Sequence, residues 1–135
     1  MSKAIKQTDY DWYIKEHPAS SPLTKYKVNE MLKSNKNLKL IKKNFPNNKI
    51  KDLGIKFVLT VYGTVASELP IFGVNVINDS KNQPHSDFNF SINPKNLVEY
   101  KKIILNLRKN KFKANKNHLY SYHYVKELFS KNHLF

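Results

Sequence analysis

Lysines recur at intervals of seven residues in the last third of the chain, at Lys95, Lys102 and Lys109. Seven residues make almost two turns of an α-helix, so this spacing would place three ammonium groups along one side of a helix. A lysine side chain contacts a phosphate group as a point charge, and a row of lysines suits a phosphate backbone. Five more cations flank the row: Lys101, Arg108, Lys111, Lys113 and Lys116.

Two interpretations of this basic segment are open. Because 23 of the 24 cations in the chain are lysines, the row could be a solvated helix face produced by a lysine-rich composition. Alternatively, it is a phosphate-binding surface, with Tyr120, Tyr122 and Tyr124 close behind it as side chains on which bases could stack. The second interpretation makes the eight cations, together with Tyr120 and Tyr122, the candidate nucleic-acid-binding residues.

Histidines offer two weaker sites. His85 stands two residues before Asp87 and could act as a base oriented by that acid, although such pairs in polar loops are usually solvated. His118 and His123 flank the tyrosines and could bind a metal or stack on bases, although an amphipathic helix edge is the commoner origin of this pattern. The chain has no cysteine, and its three glycines are too dispersed for a phosphate-cradling loop. We therefore expect no catalytic residue, no metal, no cofactor and no enzymatic activity.

The positive charge lies on both sides of an acidic centre. The net charge is +14, with +6 on residues 35–56, −2 on residues 57–94 and +8 on residues 95–135. A single arginine, Arg108, disfavours direct reading of bases, which depends on bidentate guanidinium contacts. We therefore predict a protein that binds the backbone of RNA or DNA. The alternative is a protein-interaction module, such as a small inhibitor or effector from a mobile element, that binds an acidic partner.

The apolar pattern predicts three strands that would position these groups. They cover residues 55–62, 71–77 and 87–93. The first two are rich in β-branched and aromatic residues, and in the third Phe88, Phe90 and Ile92 alternate with polar residues, as in a half-buried strand. Residues 78–86 form a polar connection, which we expect to be mobile, with His85 dispensable for folding.

Two helices are predicted before the strands. Thr8 and Asp11 resemble a capping box, which predicts a short aromatic helix that ends before Pro18. Ser21 and Pro22 are typical of a helix start, with Ser21 as the N-cap, and this second helix should fray near residues 34–37. Residues 38–43 fit either a strand or another helical turn.

Two more helices are predicted after the strands. The first begins at residues 93–94 and carries an apolar stripe toward the sheet. The stripe consists of Leu97, Tyr100, Ile103, Ile104 and Leu107. Residues 118–124 have tyrosine at every second position, as in a strand, but the spacing of Tyr122, Val125 and Phe129 favours a helix that runs to Lys131.

The predicted order is therefore α-α-β-β-β-α-α, and it defines an α+β fold in which N- and C-terminal helices pack on a small three-stranded antiparallel sheet. Residues 1–135 have the length of one domain. Residues 57–77 carry a single charge, at Glu68, but Gly63 and Pro70 interrupt them, so we predict no membrane span. No apolar segment follows the first residues, which predicts the absence of a signal peptide and a cytoplasmic location.

Overall fold

A computed structural model describes residues 1–61, 63–79 and 83–131. The chain divides into two compact units, Met1–Pro46 and Asn47–Phe135. Each unit contains one two-stranded sheet, and the strands of both sheets are parallel. The prediction of a three-stranded antiparallel sheet is therefore wrong, whereas the mixture of helices and strands is present. The prediction of a single domain over residues 1–135 stays a prediction.

The first unit contains two helices and two strands in alternation. They are α1 (Ser2–Gln7), β1 (Trp12–Lys15), α2 (Pro22–Ser34) and β2 (Leu38–Ile41). Strand β1 pairs with β2 so that Trp12 lies opposite Leu38. Two parallel strands need a long crossover, and α2 supplies it. The buried apolar residues are Ile5, Val28, Leu38 and Ile41.

The segment around Trp12 is a strand, and the prediction of a helix there is wrong. Asn37 explains the difference, because its side-chain amide donates hydrogen bonds to the carbonyl oxygens of Ile5 at 3.1 Å and Tyr10 at 3.2 Å. Its backbone carbonyl accepts from the Trp12 amide at 2.8 Å. These hydrogen bonds join residues that are 25 or more positions apart in the chain, and they outweigh the local capping pattern that predicted a helix. The start of α2 is confirmed, since the Ser21 hydroxyl accepts a bond from the Thr24 amide at 3.2 Å.

Within its described residues, the second unit has its own strand pair and three α-helices, together with 3₁₀ helices at Asn47–Leu53, Leu69–Phe72 and Leu107–Lys109. The strands are β3 (Phe57–Thr60) and β4 (Asn75–Asn78), and the α-helices are α3 (Val65–Glu68), α4 (Leu97–Leu105) and α5 (Lys116–Lys131). Strand β3 pairs in parallel with β4, so that Phe57 lies opposite Asn75. Residues 76–78 are completely buried, as expected for a parallel strand covered on both sides.

The strands are parallel because residues 65–72 are helical. The predicted second strand, residues 71–77, begins only at Asn75, since Pro70 and Ile71 lie in a 3₁₀ helix. Gly73 ends this helix with φ 78° and ψ 21°, a left-handed conformation that favours glycine, and its amide donates to the carbonyl of Leu69. The helical segment returns the chain to the starting edge of β3, so β4 runs in the same direction.

The predicted third strand, residues 87–93, is reduced to one bridge between Ile92 and Ile77, also parallel. The Ile92 amide donates to the carbonyl of Val76 at 2.8 Å, and the Ile92 carbonyl accepts from the Asn78 amide at 2.9 Å. Turns precede the bridge, and the buried ring of Phe90 packs on Tyr122 of α5, with ring centroids 5.4 Å apart. The helix favoured for the last segment is confirmed as α5.

Candidate functional site

The eight cations predicted to contact phosphate all lie in the second unit, and all eight are exposed. We call them the basic surface. They follow the chain from the residue before the N-cap of α4, through α4 and the next 3₁₀ helix, to the first residue of α5. Their exposure allows contact with a ligand, and it is also the ordinary state of a lysine.

The row of three lysines does not lie on one continuous helix. Helix α4 begins at Leu97, because the Asn96 side chain accepts a hydrogen bond from the Glu99 amide at 2.9 Å, and it ends at Leu105. Lys95 therefore precedes the helix, Lys102 lies within it, and Lys109 belongs to a separate 3₁₀ helix. The prediction of an uninterrupted helix from residue 94 to residue 109 is wrong.

The apolar stripe predicted for this helix also differs from the structure. Ile104 is buried, whereas Leu97 is 64% exposed. Tyr100 is half-buried, and burial raises the pKa of its phenol, with a further contribution from the charge of Asp79. Helix α4 therefore uses its second turn and its end for packing, while its first turn is open to solvent.

Hydrogen bonds hold the linker between α4 and α5 in place. The Asn75 side chain, on β4, donates to the carbonyl of Phe112 at 3.1 Å, and the Asn115 amide donates to the carbonyl of Asn89 at 2.7 Å. Phe112 is half-buried between exposed Lys111 and Lys113. The backbone of the irregular segment that carries Lys111 and Lys113 is thus hydrogen-bonded to the core at Phe112 and at Asn115.

The seven lysines of the basic surface form no ion pair with the acidic side chains that the structure describes. Among the described residues, ion pairs join Lys33 to Glu30, Lys39 to Asp11 and Lys131 to Glu127, and none involves the seven lysines of the basic surface. The nearby carboxylate of Glu99 accepts a hydrogen bond from the backbone amide of Lys95 at 2.6 Å. These seven ammonium groups are therefore available for an anionic ligand.

The two tyrosines named with the basic surface have opposite environments. Tyr122 is half-buried, and its ring lies 5.4 Å from the rings of Phe88 and Phe90 and 6.0 Å from that of His85. Tyr120 is 60% exposed, and Tyr124, one turn further along α5, is 64% exposed. The faces of Tyr122 are therefore used in packing, whereas those of Tyr120 and Tyr124 are open.

A second feature, which the sequence did not reveal, is a buried polar cluster at the carboxyl ends of β3 and β4. It consists of Asn78, Gln83, His85, Ser91 and Asn93. The side-chain amide nitrogen of Asn78 lies 2.6 Å from the side-chain oxygen of Asn93 and 3.1 Å from the Ser91 hydroxyl. Gln83 donates to the carbonyl of Val61 at 2.6 Å. Every one of these residue types is common in loops, so the sequence carried no signal of burial.

His85 is part of this cluster, so the prediction that it is solvated is wrong; that it is dispensable for folding stays a prediction, which the His85→Gln variant tests. It is 4% exposed, and its ring stacks on Phe90 at a centroid distance of 5.4 Å. Its Nε2 atom lies 3.3 Å from the Asn78 amide nitrogen, and burial lowers the pKa of the imidazole. Burial therefore favours the uncharged form of the ring.

His85 does not form with Asp87 the base and acid pair that the sequence offered as a weaker site. Asp87 is exposed, and within the described residues no hydrogen bond joins it to the imidazole. The two histidines of α5 also have structural contacts: the His118 Nδ1 atom accepts from the Asn89 amide at 2.9 Å, and the His123 Nε2 atom donates to the carbonyl of Ser67 at 2.8 Å. The described residues contain no group of three potential metal ligands.

The side-chain oxygen of Asn78 is a buried acceptor, and it has no hydrogen-bond partner among the residues that the structure describes. An open cavity of about 310 Å³ lies beside the cluster, and Asp87, Ser91, Asn93 and Phe112 contribute to its lining. Ligands of parallel sheets commonly bind at the carboxyl ends of the strands, so this edge is the second candidate site.

Comparison with family models, with curated proteins and with solved structures finds no match to the chain. Among the described helices, none combines the length and the apolar character needed to cross a bilayer. The basic surface and the buried polar cluster are therefore the two candidate sites.

Proposed function

We propose that this protein binds nucleic acid without catalysing a reaction, through lysine contacts to the phosphate backbone. The observation that carries the proposal is the basic surface, in which seven exposed lysines, none in an ion pair within the described residues, lie between residues 95 and 116. Each lysine that neutralises a phosphate releases a condensed counterion, which favours binding irrespective of base sequence. The hydrogen bonds of the linker support the proposal, because a backbone that is already held in place loses less conformational entropy when its lysines bind.

Contacts to the backbone are favoured over contacts to bases. An ammonium group is a compact charge with no fixed hydrogen-bonding plane, whereas specific reading of guanine uses the planar fork of arginine. The basic surface contains one arginine, Arg108. We therefore propose similar affinity for different sequences and, in keeping with this role, a cytoplasmic location.

The test is the salt dependence of binding to a labelled oligonucleotide. Replacing Lys95, Lys102 and Lys109 by Gln removes three charges, and the slope of log affinity against log salt should become shallower by about two to three units. The matched control replaces Lys3, Lys25 and Lys27, which are exposed lysines of the first unit. The proposal fails if both triple variants have the slope of the parent protein, and strong binding to an acidic protein with none to oligonucleotides would favour the protein-interaction alternative.

A second candidate function is the binding of a small polar ligand at the carboxyl ends of β3 and β4. The observation that favours it is the side-chain oxygen of Asn78, a buried acceptor for which the described part of the chain supplies no partner. A hydroxyl or amide group of a ligand would satisfy that acceptor, and buried polar groups without a partner are uncommon enough to need an explanation.

This candidate is tested by nuclear magnetic resonance with a library of small alcohols and amides. Ligands at this edge should shift the side-chain amide signals of Asn78 and Asn93, and the shift at Asn93 should disappear in Asn78→Leu. The amide signals of Asn37, a half-buried asparagine of the first unit that donates to the carbonyl groups of Ile5 and Tyr10, serve as the control. Shifts of equal size at all three asparagines would indicate non-specific binding and would count against the candidate.

A further inference from the structure

Two tyrosine rings stand open on one side of α5. Tyr120 and Tyr124 are four residues apart, so they are neighbours on the same helix face. Lys116 lies four residues before Tyr120 and continues that face toward the linker. The rings are 60% and 64% exposed, and among the described residues neither of them contacts another ring.

The opposite side of α5 is fixed to the core of the second unit. Leu119 is 1% exposed, and the hydrogen bonds of His118 and His123 tie the helix to Asn89 and Ser67. The backbone that carries the open rings is therefore held in position before any ligand arrives. A rigid aromatic side chain offers a large contact area and loses little conformational entropy when it binds.

The segment of the chain that leads into α5 is cationic. Lys111 and Lys113, in the anchored linker, precede Lys116 along the chain. The acidic residue of α5, Glu127, is paired with Lys131 at 2.7 Å, and this hydrogen bond lowers the pKa of the carboxyl group. The rings of Tyr120 and Tyr124 lie about one and two helical turns after Lys116, on the helix that this cationic segment enters. This arrangement matches a ligand that has both exposed aromatic faces and phosphates.

We propose that the protein selects single-stranded nucleic acid, whose unpaired bases stack on Tyr120 and Tyr124 while Lys111, Lys113 and Lys116 contact the phosphates. This inference rests on the proposed function and specifies its ligand. In a duplex the faces of the bases are covered by their neighbours, so a ring on a helix surface reaches them only after bases are unstacked. In a single strand the faces are accessible, and stacking depends little on base identity.

The experiment compares a single strand of about 16 nucleotides with the duplex of the same sequence, a length in the range that single-strand-binding surfaces cover. Fluorescence anisotropy measures both affinities across a range of salt concentrations. For the double variant Tyr120→Ala and Tyr124→Ala, we expect the single-strand affinity to fall by at least about tenfold, given the usual contribution of one stacked base. The slope against log salt should stay unchanged, since no charge is removed, and the affinity for the duplex should hardly change.

Two further variants separate stacking from other effects. The double variant Tyr120→Phe and Tyr124→Phe keeps both ring faces and should retain the parent affinity. A loss of affinity in this variant would mean that the hydroxyl groups, and not the ring faces, contact the ligand. Tyr26→Ala is the matched control, because Tyr26 is a 64% exposed tyrosine on α2 of the first unit. It should leave binding unchanged.

The outcomes distinguish this inference from the proposed function. Equal binding of single strand and duplex that depends on the lysines but not on the tyrosines would overturn the inference and leave the proposed function standing. No binding of either oligonucleotide would overturn both. A loss specific to the single strand in the alanine double variant, restored by phenylalanine, would support both.

Discussion

The buried polar cluster and the basic surface lie in the same unit and use polar side chains in opposite ways. Asn78 is fully buried, and three side chains crowd around its amide nitrogen. The eight cations of the basic surface are exposed, and its seven lysines have no side-chain partner within the described chain. The cluster is therefore specified residue by residue, whereas the basic surface is specified by its total charge.

This difference follows from the surrounding dielectric. When a buried polar group loses its partner, the folded state is destabilised by the full desolvation free energy of that group. The replacement of one residue of the cluster therefore leaves its neighbours without a hydrogen-bond partner. An exposed lysine keeps its water, and neighbouring ammonium groups interact weakly in solvent. We therefore expect single substitutions in the cluster to change stability strongly, and substitutions in the basic surface to change binding.

The largest effect is expected at the apolar wall of the cluster. Phe90 is fully buried, and its ring contacts those of His85, Phe88 and Tyr122. Phe90→Ala should lower the free energy of unfolding by about 3–5 kcal/mol, because it removes apolar contact and leaves a cavity. Urea unfolding followed by circular dichroism measures the loss. Phe72→Ala, at a 38% exposed position, is the control and should lower the free energy of unfolding much less. A decrease below about 1 kcal/mol for Phe90→Ala would contradict the assignment of Phe90 to the core.

The next effect concerns the centre of the cluster. Asn78→Ala removes the donor shared by Ser91, Asn93 and His85, and we expect a loss of about 1–3 kcal/mol in the same unfolding measurement. Asn117→Ala, at an exposed position of α5, removes an equal side chain and should have little effect. Equal stability of the two variants would mean that burial does not distinguish the cluster from the surface.

The third effect is a dependence of stability on pH. Burial lowers the pKa of His85 from its ordinary value of 6.5, so the unfolded chain takes up a proton more readily than the folded chain. The contribution of neutral His85 is therefore complete above pH 6.5 and is lost as the pH falls below 6.5 toward the lower pKa of the folded state. Unfolding in urea between pH 7.5 and pH 5, a range chosen around the usual titration of histidine, measures the loss.

The control for the pH dependence removes the imidazole. His85→Gln should be less stable than the parent at neutral pH and should show a flatter dependence on pH. His17→Gln, in the first unit, removes an exposed histidine and should leave the dependence intact. If His85→Gln and the parent lose the same stability on acidification, another group is responsible.

The sequence predicted elements whose signals are local. The start of α2 at Ser21 and Pro22 was predicted because capping involves residues three positions apart, and the helical character of α5 was favoured from its apolar spacing. Exposure of the lysines followed from their chemistry. The strand character of residues 57–60 was also predicted, since β-branched and aromatic residues dominate there.

The direction of the strands and the burial of the cluster depended on contacts between distant residues. Residues 71–72 have strand-like composition but are helical, because the chain between β3 and β4 must form a crossover. Asn78 and Asn93 are fifteen positions apart, and their pairing arises only when β4 and the segment at Ile92 lie side by side. No local pattern distinguishes these asparagines from those of a solvated loop, so the cluster was missed.

The smallest effect is expected from the basic surface. Replacing Lys95, Lys102 and Lys109 by Gln should change the free energy of unfolding by less than about 1 kcal/mol, because the three side chains are exposed and form no ion pair within the described residues. At low ionic strength the change should be toward greater stability, since a net charge of +14 repels itself and three positive charges are removed. Added salt should cancel that gain by screening. Urea unfolding at low and high salt measures both effects, and a loss comparable with that of Asn78→Ala would show that these lysines are structural and that the contrast between the two regions is false.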